Sequence, residues 1–181
     1  MKRWLATIIL VLACAHSARA QKYEGSAVLG IQSGVGVAVA SYARDYTISV
    51  PFTLQMDFAV RDGSSIGVRG AYQMFNTEKQ SNKVNMKVAQ IGLQGKQFFN
   101  PDMPLSMYAI AGWGVFWYKE DHPQTLSDPA WGGFGGLGIN YEATEEISFY
   151  TETVYNLVFA NPQKLRFIGV AFGVSISVKE E

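Results

Sequence analysis

On either side of a central turn, two charged residues interrupt a stretch in which bulky apolar residues recur at every second position. The stretch PFTLQMDFAVRDGSSIGVRGAYQMF spans residues 51–75, and its central charges are Asp57 and Arg69. A carboxylate and a guanidinium that share a low-dielectric site form a charge-assisted pair, whereas either charge alone is costly there. With a turn centred near Gly63, Asp57 and Arg69 face each other across a hairpin. The spacing therefore predicts an Asp57–Arg69 ion pair on the polar face of two strands.

Two further charges occupy comparable positions in other alternating segments. Lys96 lies a few residues before a turn, and Glu152 lies in ISFYTETVYNL at a similar distance after another turn. Together with Asp57 and Arg69 they give two acids and two bases, which predicts a mutually neutralising network. Two other interpretations stay open: the four side chains are separately solvated, or they exchange partners along a gated ion path.

A different chemistry would centre on His122, in the polar stretch EDHPQTLSDP. Asp121, Ser127 and Asp128 are residue types that a nucleophile, base and orienting acid would require. All of them share one loop, so no rigid element holds a base against a nucleophile. A solvated loop histidine is the favoured interpretation, and we expect no enzyme. His122 is also the only histidine after residue 20, which favours neither a metal site nor a cofactor.

The elements that would position these residues are strands. Alternation with a period of two recurs in eight segments of roughly ten residues. We place them near residues 26–39, 49–60, 64–75, 86–98, 105–118, 130–141, 147–157 and 165–178. Short connections follow the second, fourth and sixth segments, and longer or more polar ones follow the other four. Tight turns that alternate with larger loops are typical of an antiparallel up-and-down membrane barrel.

The two faces of these segments differ in composition. Small or polar residues form one face and large apolar residues the other: in the last segment Ile168, Val170, Phe172, Val174 and Ile176 alternate with Gly169, Ala171, Gly173, Ser175 and Ser177. Because the charges fall on the polar face, we expect that face to line the lumen and the apolar face to meet lipid. A soluble lipocalin-like barrel, with the apolar face inside, is the alternative. Segment 105–118 is apolar on both faces, so its orientation stays open. In segment 86–98, the apolar residues Met86 and Val88 interrupt the alternation and indicate a bulge.

Glycines and aromatic residues complete the predicted wall. Glycines on the lumen face are expected to leave space in which long Arg and Lys side chains cross and plug the interior: Gly30, Gly34, Gly132, Gly136, Gly138 and Gly173. Aromatic residues gather near the segment ends and predict girdles at the two membrane interfaces. They are Tyr42, Tyr46, Phe75, Phe98, Phe99, Trp117, Tyr118, Trp131, Tyr141 and Phe159.

The N-terminus has the features of a cleavable secretory signal peptide. Residues 1–20 combine a basic start, an apolar run of about ten residues and the small-x-small sequence Ala18-Arg19-Ala20. A lipoprotein signal acylated at Cys14 is the alternative. Residues 21–181 are then one domain without cysteine, which excludes disulfides there. That domain carries an acidic excess of about three charges and no basic cluster, so nucleic acid is not an expected partner.

The strands WGGFGGLGINYEATEEISFYTETVYN and GVAFGVSISV carry a family resemblance. They resemble the small eight-stranded outer-membrane β-barrels, the family of the OmpA transmembrane domain and of OmpX-like proteins. The resemblance implies a lumen closed by buried acids and bases, with Asp57, Arg69, Lys96 and Glu152 as the counterparts by position. It also implies a C-terminal aromatic residue, from which this chain departs because it ends Val178-Lys179-Glu180-Glu181.

These observations predict a non-enzymatic scaffold in the bacterial outer membrane that presents four loops to the exterior. The expected partners are outer-membrane lipid and lipopolysaccharide, the expected state is a monomer, and a loop-binding partner is left unidentified. Two alternatives stay open. One is a narrow pore or carrier for small solutes, and the other is an enzyme that modifies lipid A through His122.

Overall fold

The computed structural model describes residues 26–39, 46–61, 63–77, 85–120, 129–160 and 164–178. These residues form a closed antiparallel barrel of eight strands, so the predicted barrel fold is confirmed. The strands are β1 (Ala27–Ala38), β2 (Tyr46–Arg61), β3 (Ser64–Thr77), β4 (Met86–Phe98), β5 (Leu105–Glu120), β6 (Ala130–Glu142), β7 (Ile147–Val158) and β8 (Leu165–Val178). Among the described residues, no helix is long and apolar enough to cross a membrane. The predicted signal peptide lies outside them.

The barrel closes with a regular stagger. Every strand pairs with its neighbours in sequence, and β8 pairs with β1. The chain of paired residues that starts at Ala27 passes through all eight strands and returns to β1 at Val37, ten residues further along. Such a stagger requires strands that tilt strongly against the barrel axis. It also brings strands that are remote in sequence to the same level of the lumen.

The two ends of the barrel differ in their connections. At one end, which we call the turn end, short connections join β2 to β3, β4 to β5 and β6 to β7, and β8 terminates beside the start of β1. The other end, which we call the loop end, carries the connections spanning residues 40–45, 78–84, 121–128 and 161–163, which lie outside the described residues. In the tightest turn, Gly63 adopts a φ of 75°, a conformation that favours glycine.

The exterior is apolar and the interior is polar along most of the barrel. Leu54 is 54% exposed whereas its neighbour Gln55 is 6% exposed. The predicted orientation of the apolar face is therefore confirmed. The open case of β5 is also resolved: Trp113 and Trp117 point outward, and Tyr108 points into the lumen. A lipocalin-like arrangement, which would bury the apolar face, is contradicted.

A layer of apolar side chains fills the lumen at the loop end. We call it the loop-end apolar layer, and it consists of Ala38, Phe75, Met86, Val88, Phe116, Ala130, Val158, Ala160, Leu165 and Phe167. The rings of Phe75 and Phe167 meet edge to face, with centroids 5.7 Å apart. Met86 and Val88 point inward to join this layer, and the pairing of β4 runs without interruption from Met86 to Phe98. The predicted bulge is therefore wrong.

Candidate functional site: a charge network in the barrel interior

Glu152 on β7 is the centre of a buried polar network. Its Oε2 accepts hydrogen bonds from Arg69 Nη1 at 2.8 Å and from Gln32 Nε2 at 3.0 Å. Its Oε1 accepts a hydrogen bond from the Tyr108 hydroxyl at 2.9 Å and lies 3.4 Å from Lys96 Nζ. These four partners come from β3, β1, β5 and β4. One carboxylate, 1% exposed, thus connects five strands across the lumen.

Asp57 extends the network toward the turn end. Its Oδ2 lies 2.9 Å from Lys96 Nζ, so Lys96 stands between two carboxylates. Gln94 donates from Nε2 to Asp57 Oδ1 at 2.7 Å and to Gln55 Oε1 at 3.2 Å. The structure therefore brings all four residues singled out in the sequence into one cluster of two acids and two bases. Each carboxylate is paired with a cation, as buried charges require.

The partners within the cluster differ from the expected ones. Asp57 is opposite Gly67, and Arg69 is opposite Gln55. From Ser49 to Ala59, each partner on β3 lies two positions from the one expected for a turn centred at Gly63, and a register shift between Ala59 and Arg61 separates this stretch from the turn. The predicted Asp57–Arg69 ion pair is therefore wrong. The Arg69 guanidinium binds a carboxylate on another part of the wall instead.

Four members of the network were not identified as such from the sequence. Gln32, Gln55 and Gln94 lie on the polar face of their strands, and the recurrence of glutamine at inward positions was the available signal. Tyr108 gave no such signal because both faces of β5 are apolar in sequence. Its hydroxyl is nevertheless a donor to Glu152. A buried tyrosine normally finds a hydrogen-bond partner, so its orientation follows once β5 is known to turn odd-numbered residues outward.

Aromatic rings complete the surroundings of both cations. The Arg69 guanidinium carbon lies 5.5 Å from the centroid of the Phe134 ring. Lys96 Nζ lies 5.3 Å from the Tyr108 centroid and 5.6 Å from that of Tyr150. The face of an aromatic ring attracts a cation, and the attraction is stronger where water is excluded. Each cation is thus held by carboxylate oxygen on one side and by an aromatic ring on another.

Several glycines on the lumen face make room for these rings. A Cβ atom at Gly138 would collide with the Tyr108 ring, and one at Gly173 would collide with the Tyr150 ring. We had expected the lumen glycines to leave room for long Arg and Lys side chains. That expectation is wrong for the glycines that lie beneath aromatic rings. Gly30 lies against Tyr150 and Gly132 against Phe116, whereas Gly34 and Gly136 lie against the backbone of neighbouring strands.

The network lies between two small cavities. The cavity on the turn side, about 50 Å³, is lined by Asp57, Lys96 and polar residues that include Asn140. The cavity on the loop side, about 30 Å³, is lined by Arg69, Glu152 and neighbouring residues. Each has room for only a few water molecules. The linings of the two cavities share no residue, and the contact between Lys96 and Glu152 joins them, so the cluster divides the polar interior.

The predicted aromatic girdles are present only in part. Phe99, Trp117, Trp131, Tyr141 and Phe159 are exposed on the outer surface near the strand ends. Phe75 and Phe98 are buried in the lumen, and Tyr118 packs against the loop-end apolar layer. For these three the girdle assignment is wrong, because the interior of a small barrel also needs large side chains to fill its ends. Tyr42 and the side chain of Tyr46 lie outside the described part.

The histidine-centred chemistry has no counterpart in the part of the chain that the structure describes. His122, Asp121, Ser127 and Asp128 all lie outside the described residues. Within the described ranges, no group of three or more His, Cys, Asp or Glu side chains is arranged to hold a metal ion. The interactions seen in the described interior are ion pairs and hydrogen bonds.

Comparison with solved structures places this architecture among known barrels. No protein-family model and no curated protein matches the chain. Neisserial surface protein A has a TM-score of 0.67 at 17% identity, with 84% of this chain and 96% of that chain covered. OprG from Pseudomonas aeruginosa has a TM-score of 0.57 at 12% identity, with 91% and 100% covered. Ail from Yersinia pestis has a TM-score of 0.54 at 14% identity, with 86% and 100% covered. The chain thus has the fold of the small eight-stranded outer-membrane β-barrels.

Proposed function

We propose that the protein is an integral, non-enzymatic β-barrel of the bacterial outer membrane, a closed scaffold that presents its loop end to the exterior. The observation that carries the proposal is the reversed distribution of polarity. Large apolar side chains cover the outside, including Ile91 at 62% and Leu93 at 69% exposure, while an ion-pair network is buried inside. In water, an apolar surface of this extent would drive aggregation. In a bilayer it is solvated by lipid, and closure of the sheet satisfies the backbone hydrogen bonds.

The interior supports a scaffold that is closed to solutes. The charge network of Asp57, Arg69, Lys96 and Glu152 joins side chains from opposite parts of the wall. Above it, toward the exterior, the loop-end apolar layer offers no polar group to a hydrated ion. Hydrophobic constrictions of this kind block ions because water leaves them. The network and the layer would therefore act as two consecutive barriers.

The test is electrophoretic and electrical. The purified full chain should require detergent for extraction, and its unboiled form should migrate differently from its boiled form. Reconstituted into a planar bilayer, it should show no stable conductance. A chain that stays soluble and monomeric without detergent, or that migrates identically before and after boiling, would contradict the membrane assignment.

A narrow pore for small solutes is the second candidate, and the position of Lys96 favours it. Lys96 Nζ lies between the carboxylates of Asp57 and Glu152, so a small movement could change its partner. Under this hypothesis the reconstituted protein conducts, and Glu152→Ala changes the conductance. Silence of both the original protein and Glu152→Ala favours the closed scaffold.

A further inference from the structure

Four groups from β2, β5 and β7 surround the ammonium group of Lys96. Its Nζ lies 2.9 Å from Asp57 Oδ2 and 3.4 Å from Glu152 Oε1. The centroids of the Tyr108 and Tyr150 rings lie 5.3 and 5.6 Å from the same nitrogen. Carboxylate oxygens accept hydrogen bonds from an ammonium group, and the faces of aromatic rings attract its charge. The four groups therefore have the chemistry of a binding site for a primary ammonium ion, in which Lys96 is the occupant.

Both carboxylates are held in place by donors other than Lys96. Asp57 accepts a hydrogen bond from Gln94 Nε2 at 2.7 Å, and the acceptor is Oδ1, the oxygen that does not contact Lys96. Glu152 likewise binds Arg69 Nη1 at 2.8 Å through Oε2 and contacts Lys96 through Oε1. Without the Lys96 side chain, these contacts would keep one oxygen of each carboxylate directed at the vacated position.

The two aromatic rings are also positioned without help from the lysine. The Tyr108 hydroxyl donates a hydrogen bond to Glu152 Oε1 at 2.9 Å, and the ring occupies the space where Gly138 has no side chain. The Tyr150 ring occupies the corresponding space at Gly173. A site whose groups are fixed by their neighbours keeps its shape when its ligand is removed. The ammonium site is therefore preformed by the barrel wall.

The turn-side cavity, about 50 Å³, reaches this site. Its lining includes Asp57, Lys96, Tyr108 and Tyr150, and it extends to Ser177 near the end of β8. Replacing Lys96 with alanine removes Cγ, Cδ, Cε and Nζ, which together correspond to n-propylammonium. The space left by these atoms would join the cavity. A small ammonium ion that enters from the turn end would therefore find both room and binding partners.

We propose that the barrel interior contains a preformed receptor for a primary ammonium ion. Lys96 occupies it in the native protein, and a free primary amine binds there when the Lys96 side chain is absent. The site goes beyond the scaffold role, because it depends on the interior of the barrel and not on the surrounding membrane. The two carboxylates select a positive charge that carries N–H donors. A quaternary ammonium ion would satisfy the aromatic rings but not the carboxylates.

The test is the rescue of Lys96→Ala by n-propylammonium chloride in detergent micelles. The full chain is unfolded with urea, which adds no competing cation. We expect Lys96→Ala to lower the urea midpoint, and saturating n-propylammonium to restore at least about half of that loss, since it binds the folded state alone. Equal concentrations of 1-propanol, tetramethylammonium chloride and sodium chloride should leave the midpoint of the variant unchanged. The amine should also have no effect on the original protein, whose site is occupied, or on Lys119→Ala, which removes an exposed ammonium group.

A second variant covers the case in which Lys96→Ala forms no barrel by itself. Residues 21–181 contain no cysteine, so Lys96→Cys introduces a unique thiol. In urea its thiolate displaces bromide from 2-bromoethylammonium, and the new S–C bond restores an ammonium group at the length of lysine. Iodoacetamide gives a neutral adduct of similar length. Electrophoresis of unboiled and boiled samples should show barrel formation by the aminoethyl adduct and less by the neutral one.

Each outcome decides for or against the receptor. Rescue of Lys96→Ala by n-propylammonium and not by 1-propanol supports it, whether the rescue appears as a raised midpoint or as barrel formation. Equal rescue by both compounds, or equal folding of the two cysteine adducts, overturns it. So does a failure of n-propylammonium to act on Lys96→Ala while the aminoethyl adduct folds, because the site then requires a tethered ligand. Barrel formation by the original protein is measured separately, so none of these results alters the membrane assignment.

Discussion

Arg69 and Glu152, 83 positions apart in the chain, form a 2.8 Å ion pair that links β3 to β7 across the lumen. Neither strand is a neighbour of the other in the sheet. The pair is therefore a tertiary contact through the interior, in contrast to the ladder contacts that hold adjacent strands. Glu152 also contacts Lys96, so this carboxylate serves two cations. The effect of each substitution on the free energy of unfolding can therefore be compared.

Removal of Glu152 should strongly destabilise the barrel. Glu152→Gln leaves the Arg69 guanidinium without its carboxylate, and the loss of one partner of a buried pair costs about 3–5 kcal/mol. The double variant Glu152→Gln with Arg69→Met should cost less than the sum of the single variants. Unfolding by denaturant in lipid vesicles measures all three free energies. Costs that add within about 0.5 kcal/mol would show that the two residues are not coupled.

Asp57→Asn should cost less than Glu152→Gln. Among the described side chains, Asp57 has one cationic partner, and that partner, Lys96, keeps its contact with Glu152. The expected loss is about 1.5–3 kcal/mol, typical of a hydrogen bond to a charged group. The same unfolding measurement applies, with the exposed Glu146→Gln as a control that should change stability by less than about 0.5 kcal/mol. If Asp57→Asn cost more than Glu152→Gln, Asp57 and not Glu152 would be the centre of the network.

The glycine beneath Tyr108 should not tolerate a side chain. Gly138→Ala puts a Cβ atom into the Tyr108 ring, and such overpacking costs about 1–3 kcal/mol. Adding Tyr108→Leu should restore part of the loss, although it also removes the hydroxyl donor to Glu152. Gly70→Ala is the matched control, because a Cβ atom there meets nothing within 4 Å. Equal effects at the two glycines would contradict the ring packing.

The loop-end apolar layer should make access to the lumen one-sided. Single cysteines at Gln73 and Ser175, both buried, report the loop-side and turn-side parts of the interior. A membrane-impermeant maleimide is expected to label Ser175→Cys faster than Gln73→Cys. Combining Gln73→Cys with Phe75→Ala and Phe167→Ala should raise its labelling rate at least about tenfold, since the edge-to-face pair is lost. Rapid labelling of Gln73→Cys without these changes would show that the layer does not seal the lumen.

Substitution of His122 tests the enzymatic alternative. In a bacterium that produces the protein, His122→Ala should leave the mass spectrum of lipid A identical to that of cells with the original chain. This follows from the non-enzymatic proposal, in which no reaction uses His122 as a base. The control is a strain that lacks the gene. Lipid A that changes in the same way in His122→Ala and in the deletion strain would establish an activity.

The strands and their orientation were predictable because a strand between lipid and a polar lumen alternates apolar and polar residues. Leu54 and Gln55 had to face opposite sides, and only one assignment keeps charges out of hydrocarbon. β5 could not be oriented by that criterion. Its inward residues Ile110 and Phe116 are as apolar as its outward ones, because both belong to clusters of buried apolar side chains inside the lumen.

The detailed pairing was beyond sequence reasoning for a geometrical reason. A displacement of two positions in the pairing of β2 with β3, which includes a register shift between Ala59 and Arg61, was enough to separate Asp57 from Arg69. The actual partner of Arg69 depends on the stagger of the whole barrel, which decides that β3 and β7 present side chains at the same level. Local periodicity gives the face of each residue and contains no information about that level.

The ten-residue stagger has a consequence for how such a chain can change in length. It is the cumulative result of eight pairings, so a strand that gains or loses a single residue turns its remaining side chains to the opposite face unless a bulge absorbs the change, as at the two register shifts of β2. A change of two residues would preserve the faces but leave unpaired backbone groups in the hydrocarbon or force every other pairing to move. Insertions and deletions among homologues should therefore concentrate in the connections between strands. If the loop end faces the exterior, as we propose, the connections at residues 40–45, 78–84, 121–128 and 161–163 are the positions at which foreign peptides could be displayed on a cell surface.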